Sequence, residues 1–447
     1  MRETVYRVLG LVCALVASVP IGTNLGLACV LWMLVSGRLL EARGAVIPGL
    51  SLLGLSAPAV RRAWAALGQG DWASGQLLGQ WGAIVEGEGH WRAHEHAGYR
   101  PVAVDVTGFW RPRLRACPTV HYDSRAGKAL PAIPVGIVAR VGSVGGQRLG
   151  LPLALVRVDP GDPSAAAHER ALVERATAVL GDEEALVLDG GFGVRALQEA
   201  GATRYVVREA KNGTARRARP PAYAGRGRPP TRGALVRPLA RTYRRRVIPA
   251  TPPDRVETWL EEGLVVRAEC WDELVRPDAA PGSPTFRLVA IHDPRWAEPL
   301  LLASPLVIPA RALRDLYLDR WPVEQLPLAA KQLIGAARQF VSAPETCQRL
   351  PELALLAGSV LSYVAATQPP VPTGFWDRRP RPTPGRLRRV LARADFPTDF
   401  PFPARIRPKA SVATHLPKGF WGQRARPKAT PPAQASPGHP DTPAKVA

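Results

Sequence analysis

Tyr317, Arg320, Glu324 and Lys331 stand at the spacing Y-x2-R-x3-E-x6-K within the segment YLDRWPVEQLPLAAKQL. At about 100° per residue, offsets of 0, 3, 7 and 14 fall within an arc of about 60° on a helix. One stripe would then carry a carboxylate able to hold a divalent metal, beside two cations and a phenol able to grip a phosphate backbone. An exposed helix laced with i,i+4 charge pairs uses the same residue types, so the motif needs partners elsewhere in the chain. Two further acids stand out by position. Asp105 lies in the apolar stretch VAVDVTGFW, where a charge is costly to bury without a compensating partner or metal. Asp189 ends the apolar run EALVLD just before Gly-Gly, where the turn lets a side chain reach a cleft. A strand-borne acid, a strand-end acid and a helix-borne acid can converge on two Mg²⁺ ions about 3.5–4 Å apart. Such a pair activates water or a 3′-hydroxyl and stabilises the departing oxygen in an in-line attack on a phosphodiester. Taken singly, each acid also has an ordinary reading, as a turn cap or an ion-pair partner.

The elements that must position these acids can be followed along the chain. PVAVDVTGF reads as a strand, and AIPVGIVARVGSV and RLGLPLALVRV as two more, joined by the turn GSVGGQ. SAAAHERALVERATAV is a helix with Ser164 as N-cap. EALVLDGGFG follows as a strand, GVRALQEAG as a short helix and TRYVVREAK as another strand. The order β-β-β-α-β-α-β is that of the ribonuclease-H-like fold, with three antiparallel strands and parallel additions through helices. The predicted class is therefore α/β, a mixed sheet flanked by helices, with a helical N-terminal domain and a β-rich insertion.

The predicted boundaries are a helical DNA-binding domain over 1–98, the first part of the core over 99–211 and the β-rich insertion over 212–305. The second part of the core spans 306–367, and a basic Pro/Arg-rich, largely disordered tail spans 368–447. Two apolar runs near the start, VLGLVCALVASVPIG and LGLACVLWMLV, resemble a signal peptide or short membrane spans. Pro20, Thr23 and Asn24 interrupt them, and two buried helices of a helical domain explain the pattern better. In LLGLSAPAVRRAWAAL, Ser56 can cap a helix with Val60, Ala63, Trp64 and Leu67 on one face. Arg61 and Arg62 lie on the open face, as in the recognition helix of a helix-turn-helix or in any amphipathic helix.

A formal charge of +22 and a pI near 10.8 favour a polyanionic partner, and nucleic acid over a membrane surface, because the basic residues are spread through the chain. Abundant Arg, Ala, Gly and Pro with scarce Lys also reflect a GC-rich composition. Cys13, Cys29, Cys117, Cys270 and Cys347 lie far apart without a C-x-x-C pair, which fits a reducing cytoplasm and excludes a disulfide framework or zinc ribbon. His90, His94 and His96 in HWRAHEH have metal-like spacing but no partnering cluster, and are expected to be solvent-exposed. Arg226 and Arg228 in RGRPP suit either a minor-groove hook or a linker.

The chain resembles the insertion-sequence transposases of the DDE type, in the group whose third acid lies in a Y-x2-R-x3-E-x6-K signature. That signature runs complete from Tyr317 to Lys331. Asp105-Val106-Thr107 resembles the family's D-x-[ST] strand motif, and Asp189-Gly190-Gly191-Phe192 its D-x-G-F motif. The similarity spans roughly 100–365. It implies a ribonuclease-H-like core, with Asp105, Asp189 and Glu324 as catalytic and metal-binding acids for two Mg²⁺ ions, which Mn²⁺ can replace. It also implies cut-and-paste transposition by a homodimer on double-stranded DNA, engaging terminal inverted repeats and target DNA in the cytoplasm, at the nucleoid. Tyr317, Arg320 and Lys331 would contact the transposon end. Trp259, Trp271 and Trp296 are candidates for an aromatic that stacks on a flipped base at a hairpin intermediate. Two features depart from the pattern. Gly190 stands where a basic residue frequently follows the second acid, and Pro327 should kink the helix or delay its onset. A nuclease of the same core, or a relative that binds ends without cutting, is the alternative. An exported or membrane-anchored basic protein is a further one.

Overall fold

Alternation of side chains along one strand sets the layers. The first core strand, β1 (Arg100–Trp110), sends Val102 and Val104 to one face and Ala103 and Phe109 to the other, and both sets are buried. The computed structural model describes residues 2–115, 117–124, 126–223, 225, 230, 232–280, 282–372, 374–394 and 399–409; Arg226 and Arg228 lie outside them. β2 (Lys128–Val144) pairs antiparallel with β1, and β3 (Gln147–Arg157) pairs antiparallel with β2. β4 (Glu184–Leu188) then adds parallel to β1, and β5 (Tyr205–Arg208) parallel to β4. The chain makes these parallel steps through α5 (Ala165–Ala178) and α6 (Val194–Glu199), numbered after four N-terminal helices. Ser164 caps α5, its hydroxyl accepting from the Ala167 amide at 3.2 Å.

The segment expected as an insertion does not stand apart from the sheet. It supplies β6 (Arg255–Glu261), β7 (Leu264–Val275), β8 (Phe286–His292) and β9 (Leu300–Ser304). β9 pairs antiparallel with β5 through Val207 and Ala303, so the spatial order runs β3-β2-β1-β4-β5-β9-β8-β7-β6. The structure is thus mixed α/β around a sheet with both parallel and antiparallel neighbours. Among the described residues thirteen strands join it.

The four longer N-terminal helices are α1 (Arg2–Val16), α2 (Thr23–Val35), α3 (Ala57–Gln69) and α4 (Ser74–Glu88), with two short unlabelled helices, Arg38–Glu41 and Val46–Ser51, between α2 and α3. Both apolar runs near the start are therefore core helices: Val8, Leu15, Leu27, Trp32 and Leu34 are fully buried. α3 lies tightly along α2. A Cβ on Gly26 would come within 2.7 Å of the Ala66 Cβ, so glycine is what permits the approach. Ser56 precedes α3 without a capping hydrogen bond from its side chain.

Three helical pieces follow β9: α7 (Ala310–Leu318), α8 (Pro322–Leu328) and a single π-helical stretch, Ala329–Ile334. The long helix α9 (Pro344–Thr367) packs against α2, α3, α4, β2 and β3, and one continuous core unites it with the N-terminal helices and the Ala103/Phe109 face of the sheet. The opposite face is covered by α5 through Leu172, Val173 and Ala176. α9 is long and apolar enough to cross a membrane, but 83% of its apolar window is buried inside the protein. One ion pair is sunk with it. Glu352, 1% exposed, takes Arg157 of β3 in a two-pronged pair at 2.6 and 2.7 Å. Beyond α9, the stretch expected as tail includes one described helix. α10 (Pro384–Ala392) packs on α9 and buries Leu387 and Leu391. All these elements belong to one compact unit, 1–408.

Trp81 fastens α4 to α9. It is fully buried, its indole N–H donates to the Ser359 hydroxyl at 3.0 Å, and its ring meets Tyr363 edge-on at 5.4 Å. Trp81→Ala is expected to cost about 3–5 kcal/mol in urea unfolding followed by circular dichroism. Ser359→Ala, which orphans the indole donor, should cost about 1–3 kcal/mol.

Candidate active site

Strand register puts two of the acids side by side. Val104 of β1 is in parallel register with Leu188 of β4, so the next residues, Asp105 and Asp189, leave adjacent strands at one level, about 4.8 Å apart in the pairing direction. Asp105 points to the same face as Ala103 and Phe109, the face over which α8 and the π-helical stretch lie. Leu188 is likewise in register with Val207 of β5. Arg208 therefore comes alongside Asp189, with Nη1 3.8 Å from Oδ1.

The third acid arrives on a broken helix, not on the single stripe that the spacing predicts. Tyr317 is in the last turn of α7, Arg320 in the turn that follows, Glu324 in the first turn of α8 and Lys331 in the π-helical stretch. Pro322 carries no amide hydrogen to continue the ladder of α7 and starts a new helix instead. Pro327 removes a second donor inside α8, and the backbone widens into the π-helical turn directly after it. The residues nonetheless converge by contact. The Tyr317 hydroxyl donates to Asp189 Oδ1 at 3.2 Å, and Arg320 Nη2 lies 2.7 Å from Glu324 Oε1 and 3.5 Å from Asp189 Oδ2. Lys331 Nζ donates to the Thr107 hydroxyl at 2.7 Å and stands 5.2 Å over the Phe109 ring.

Burial and neighbours shape the charges. Desolvation pushes the Asp105 carboxyl up to about 6, with Glu324 and Asp189 adding repulsion and Arg320 opposing it. Desolvation also draws Lys331 down against the pull of Asp105. For Arg320, burial acts to lower its pKa, but Asp189 and Glu324 outweigh it and hold the guanidinium charged. Three carboxylates thus share a neighbourhood in which one half-buried guanidinium is the bridging cation. Among the described residues no three His, Cys, Asp or Glu side chains are already gathered in metal-holding geometry, in keeping with Arg320 clasping two of the acids. The donor set itself suits a hard cation. It is all oxygen, and Asp105 is desolvated close enough to Glu324 and Asp189 to feel their charges.

The histidines correct another expectation. His90 is exposed, but His94 and His96 are not free in solvent. Both hydrogen-bond one oxygen of Asp319, His94 through Nδ1 at 2.8 Å and His96 through Nε2 at 2.6 Å, while Arg148 Nη1 approaches the other at 3.7 Å. Asp319 is 7% exposed and caps the end of α7 between Tyr317 and Arg320, so this clasp fixes the break in the helix. Its burial acts to raise the carboxyl, but the two imidazoles win and hold it below its ordinary range. The H-x-H spacing, which puts both rings on one face of an extended segment, was the available signal. Arg208 carried no comparable one.

The other candidates lie apart from the acids. Arg61 and Arg62 are exposed on α3 and make no hydrogen bond or ion pair to the acid-site residues. Trp271 is a core residue, fully buried with its N–H donating to the carbonyls of Thr251 and Pro252. Trp259 is half-buried beneath the Arg314 guanidinium, 5.1 Å from the ring centre, and Trp296 packs partly buried at the edge of the same core. No protein-family model matches the chain, and no curated protein matches it.

The raised Asp105 carboxyl has a definite sign in stability. The folded protein holds this proton from an ordinary value of about 4 up to about 6, so stability falls as pH rises through that window. Asp105→Asn should remove that slope and gain on the order of 2 kcal/mol at pH 7, read from urea midpoints at pH 4 and pH 7. Equal slopes for the two proteins would show that Asp105 is not buried among these charges.

Proposed function

We propose that the protein is a DNA transposase of the DDE type, cleaving and joining phosphodiesters to move an insertion sequence by cut-and-paste. The observation that carries this reading is the meeting of Asp105, Asp189 and Glu324, from two adjacent parallel strands and a later helix, under the shared cation Arg320. The strand order β3-β2-β1-β4-β5 is that expected for a ribonuclease-H-like core, and it supports the same assignment. The charge of +22 supports a nucleic-acid partner, double-stranded DNA with terminal inverted repeats and a target site, bound by a homodimer in the cytoplasm.

Asp105, Asp189 and Glu324 would hold two Mg²⁺ ions, with Mn²⁺ as a substitute. Bound there, the ions would lower the pKa of an attacking water or 3′-hydroxyl and neutralise charge on the phosphate. The remaining roles belong to the chain. Arg320 exchanges its grip on Asp189 and Glu324 for a phosphate oxygen as the acids take up cations, and its planar fork suits two-pronged binding. Lys331 is held by Thr107 on the floor of the site, where its low-lying ammonium meets the same backbone. Tyr317 orients Asp189 through its hydroxyl.

With Mg²⁺ and DNA carrying the element's terminal repeats, the purified protein should nick at the repeat boundary. Asp105→Ala, Asp189→Ala and Glu324→Ala should each abolish nicking while leaving DNA affinity within a few-fold. Arg320→Ala and Lys331→Ala should weaken end binding and make the slope of log affinity against log salt shallower by about 1 each. Binding by the unaltered protein without nicking would leave an end-binding relative in place of an enzyme.

A further inference from the structure

Past the acids, β1 and the segment after the π-helical stretch diverge around an open cleft of about 880 Å³. One wall is the end of β1 and the loop after it, with Trp110, Arg111, Arg113 and Arg115; the other includes Arg338 and Phe340. Four arginines and no carboxylate line it. Arg111 is buried and spends its donors on neutral acceptors: the Val341 carbonyl, Gln339 Oε1 at 3.3 Å and Cys347 Sγ at 3.4 Å. Arg113, Arg115 and Arg338 are exposed, and among the described residues none of them has a carboxylate within ion-pair distance. In a chain where many arginines do find an acid, that leaves a concentrated unpaired positive field.

The walls are built rather than loose. Gly44, at φ +92°, passes so close to the second wall that a Cβ there would sit 2.2 Å from the Arg338 carbonyl, and its own carbonyl takes the Phe340 amide at 3.2 Å. Phe340 nevertheless leaves 61% of its surface in solvent. An aromatic ring left open on a segment tied to Gly44, among unpaired arginines, matches what a single nucleic-acid strand offers: a phosphate backbone and unpaired base faces. A duplex keeps its base faces stacked and has no use for that ring. The cleft also continues the acid site. Each wall follows along the chain from a site residue, the first from Asp105 and the second from Lys331, and Trp110 lies about 17 Å beyond Asp105 along the strand at roughly 3.3 Å per residue.

We infer that this cleft binds a single DNA strand leaving the acid site, with Phe340 stacking on an unpaired base and Arg113, Arg115 and Arg338 holding its phosphates. The inference rests on the proposed chemistry only for the direction in which the strand runs. Fluorescence anisotropy tests it with the full chain, no divalent metal, and a labelled oligodeoxythymidylate beside a random-sequence duplex of equal length. Phe340→Ala should weaken the single strand roughly five- to one-hundred-fold and the duplex less than two-fold. The triple substitution Arg113→Ala/Arg115→Ala/Arg338→Ala should make the single-strand salt slope shallower by about 2. Both variants change exposed side chains, and unaltered thermal melting verifies that they fold. Unchanged single-strand binding in either variant, or equal loss of both probes in Phe340→Ala, would overturn the assignment, the latter pointing to a duplex surface. The Asp105→Asn/Asp189→Asn/Glu324→Gln variant separates the two readings. Retained single-strand binding there, beside absent nicking by the unaltered protein, would sink the enzyme and keep the cleft. Nicking with a cleft indifferent to Phe340 would do the reverse.

Discussion

The parallel pairing of β1 with β4 is the constraint on which the rest depends. With Val104 held level with Leu188, Asp105 and Asp189 leave the sheet at one level, and the desolvation of Asp105 beside two other acids creates a need for a cation from outside the sheet. Arg320 meets it. The whole stretch from α7 to the π-helical turn can be understood as the support that delivers one guanidinium and one further carboxylate to that spot. A slip of one residue in the pairing would turn Asp105 to the opposite face, toward α5, and dissolve the site at once.

Supporting a charged cluster at the edge of an apolar core needs second-rank contacts, and these are polar and local. Asp319 is pinned by two imidazoles from the segment before β1, so the turn bearing Arg320 is tied to the sheet it serves. Thr107, two residues beyond Asp105 and on the same face, holds Lys331. Arg157 and Glu352 anchor α9 against β3, where a lone charge would be severely penalised. Each link joins an element of the first half of the chain to one of the second, across 195 to 225 residues of sequence.

Much of this is legible in the residues, and the failures have physical causes. The strands containing Asp105 and Asp189 announce themselves as apolar runs, and Ser164 marks the start of α5 by a local hydrogen bond that spacing alone can suggest. The helical stripe is a different matter. Spacing assumes an unbroken 3.6-residue period, whereas Pro322 and Pro327 divide the segment into two α-helices and a π-turn, and contact survives only because the sheet below recruits each side chain separately. The joining of β9 to β5 is invisible in sequence, because Val207 and Ala303 meet across almost a hundred intervening residues. His94 and His96 look exposed when their partner, Asp319, is hidden within a motif already assigned to other work. Composition is silent about the short helix near the C-terminus, where a basic, proline-rich stretch places Leu387 and Leu391 on one buried face.

The placement of α9 has a consequence for how the molecule comes into being. This helix fills the space between α2, α3 and α4 and the β2–β3 edge, so the apolar side of α2 turned toward it stays open during synthesis until residues 344–367 follow. Until then a nascent chain keeps that apolar strip in water, the kind of surface that chaperones shield.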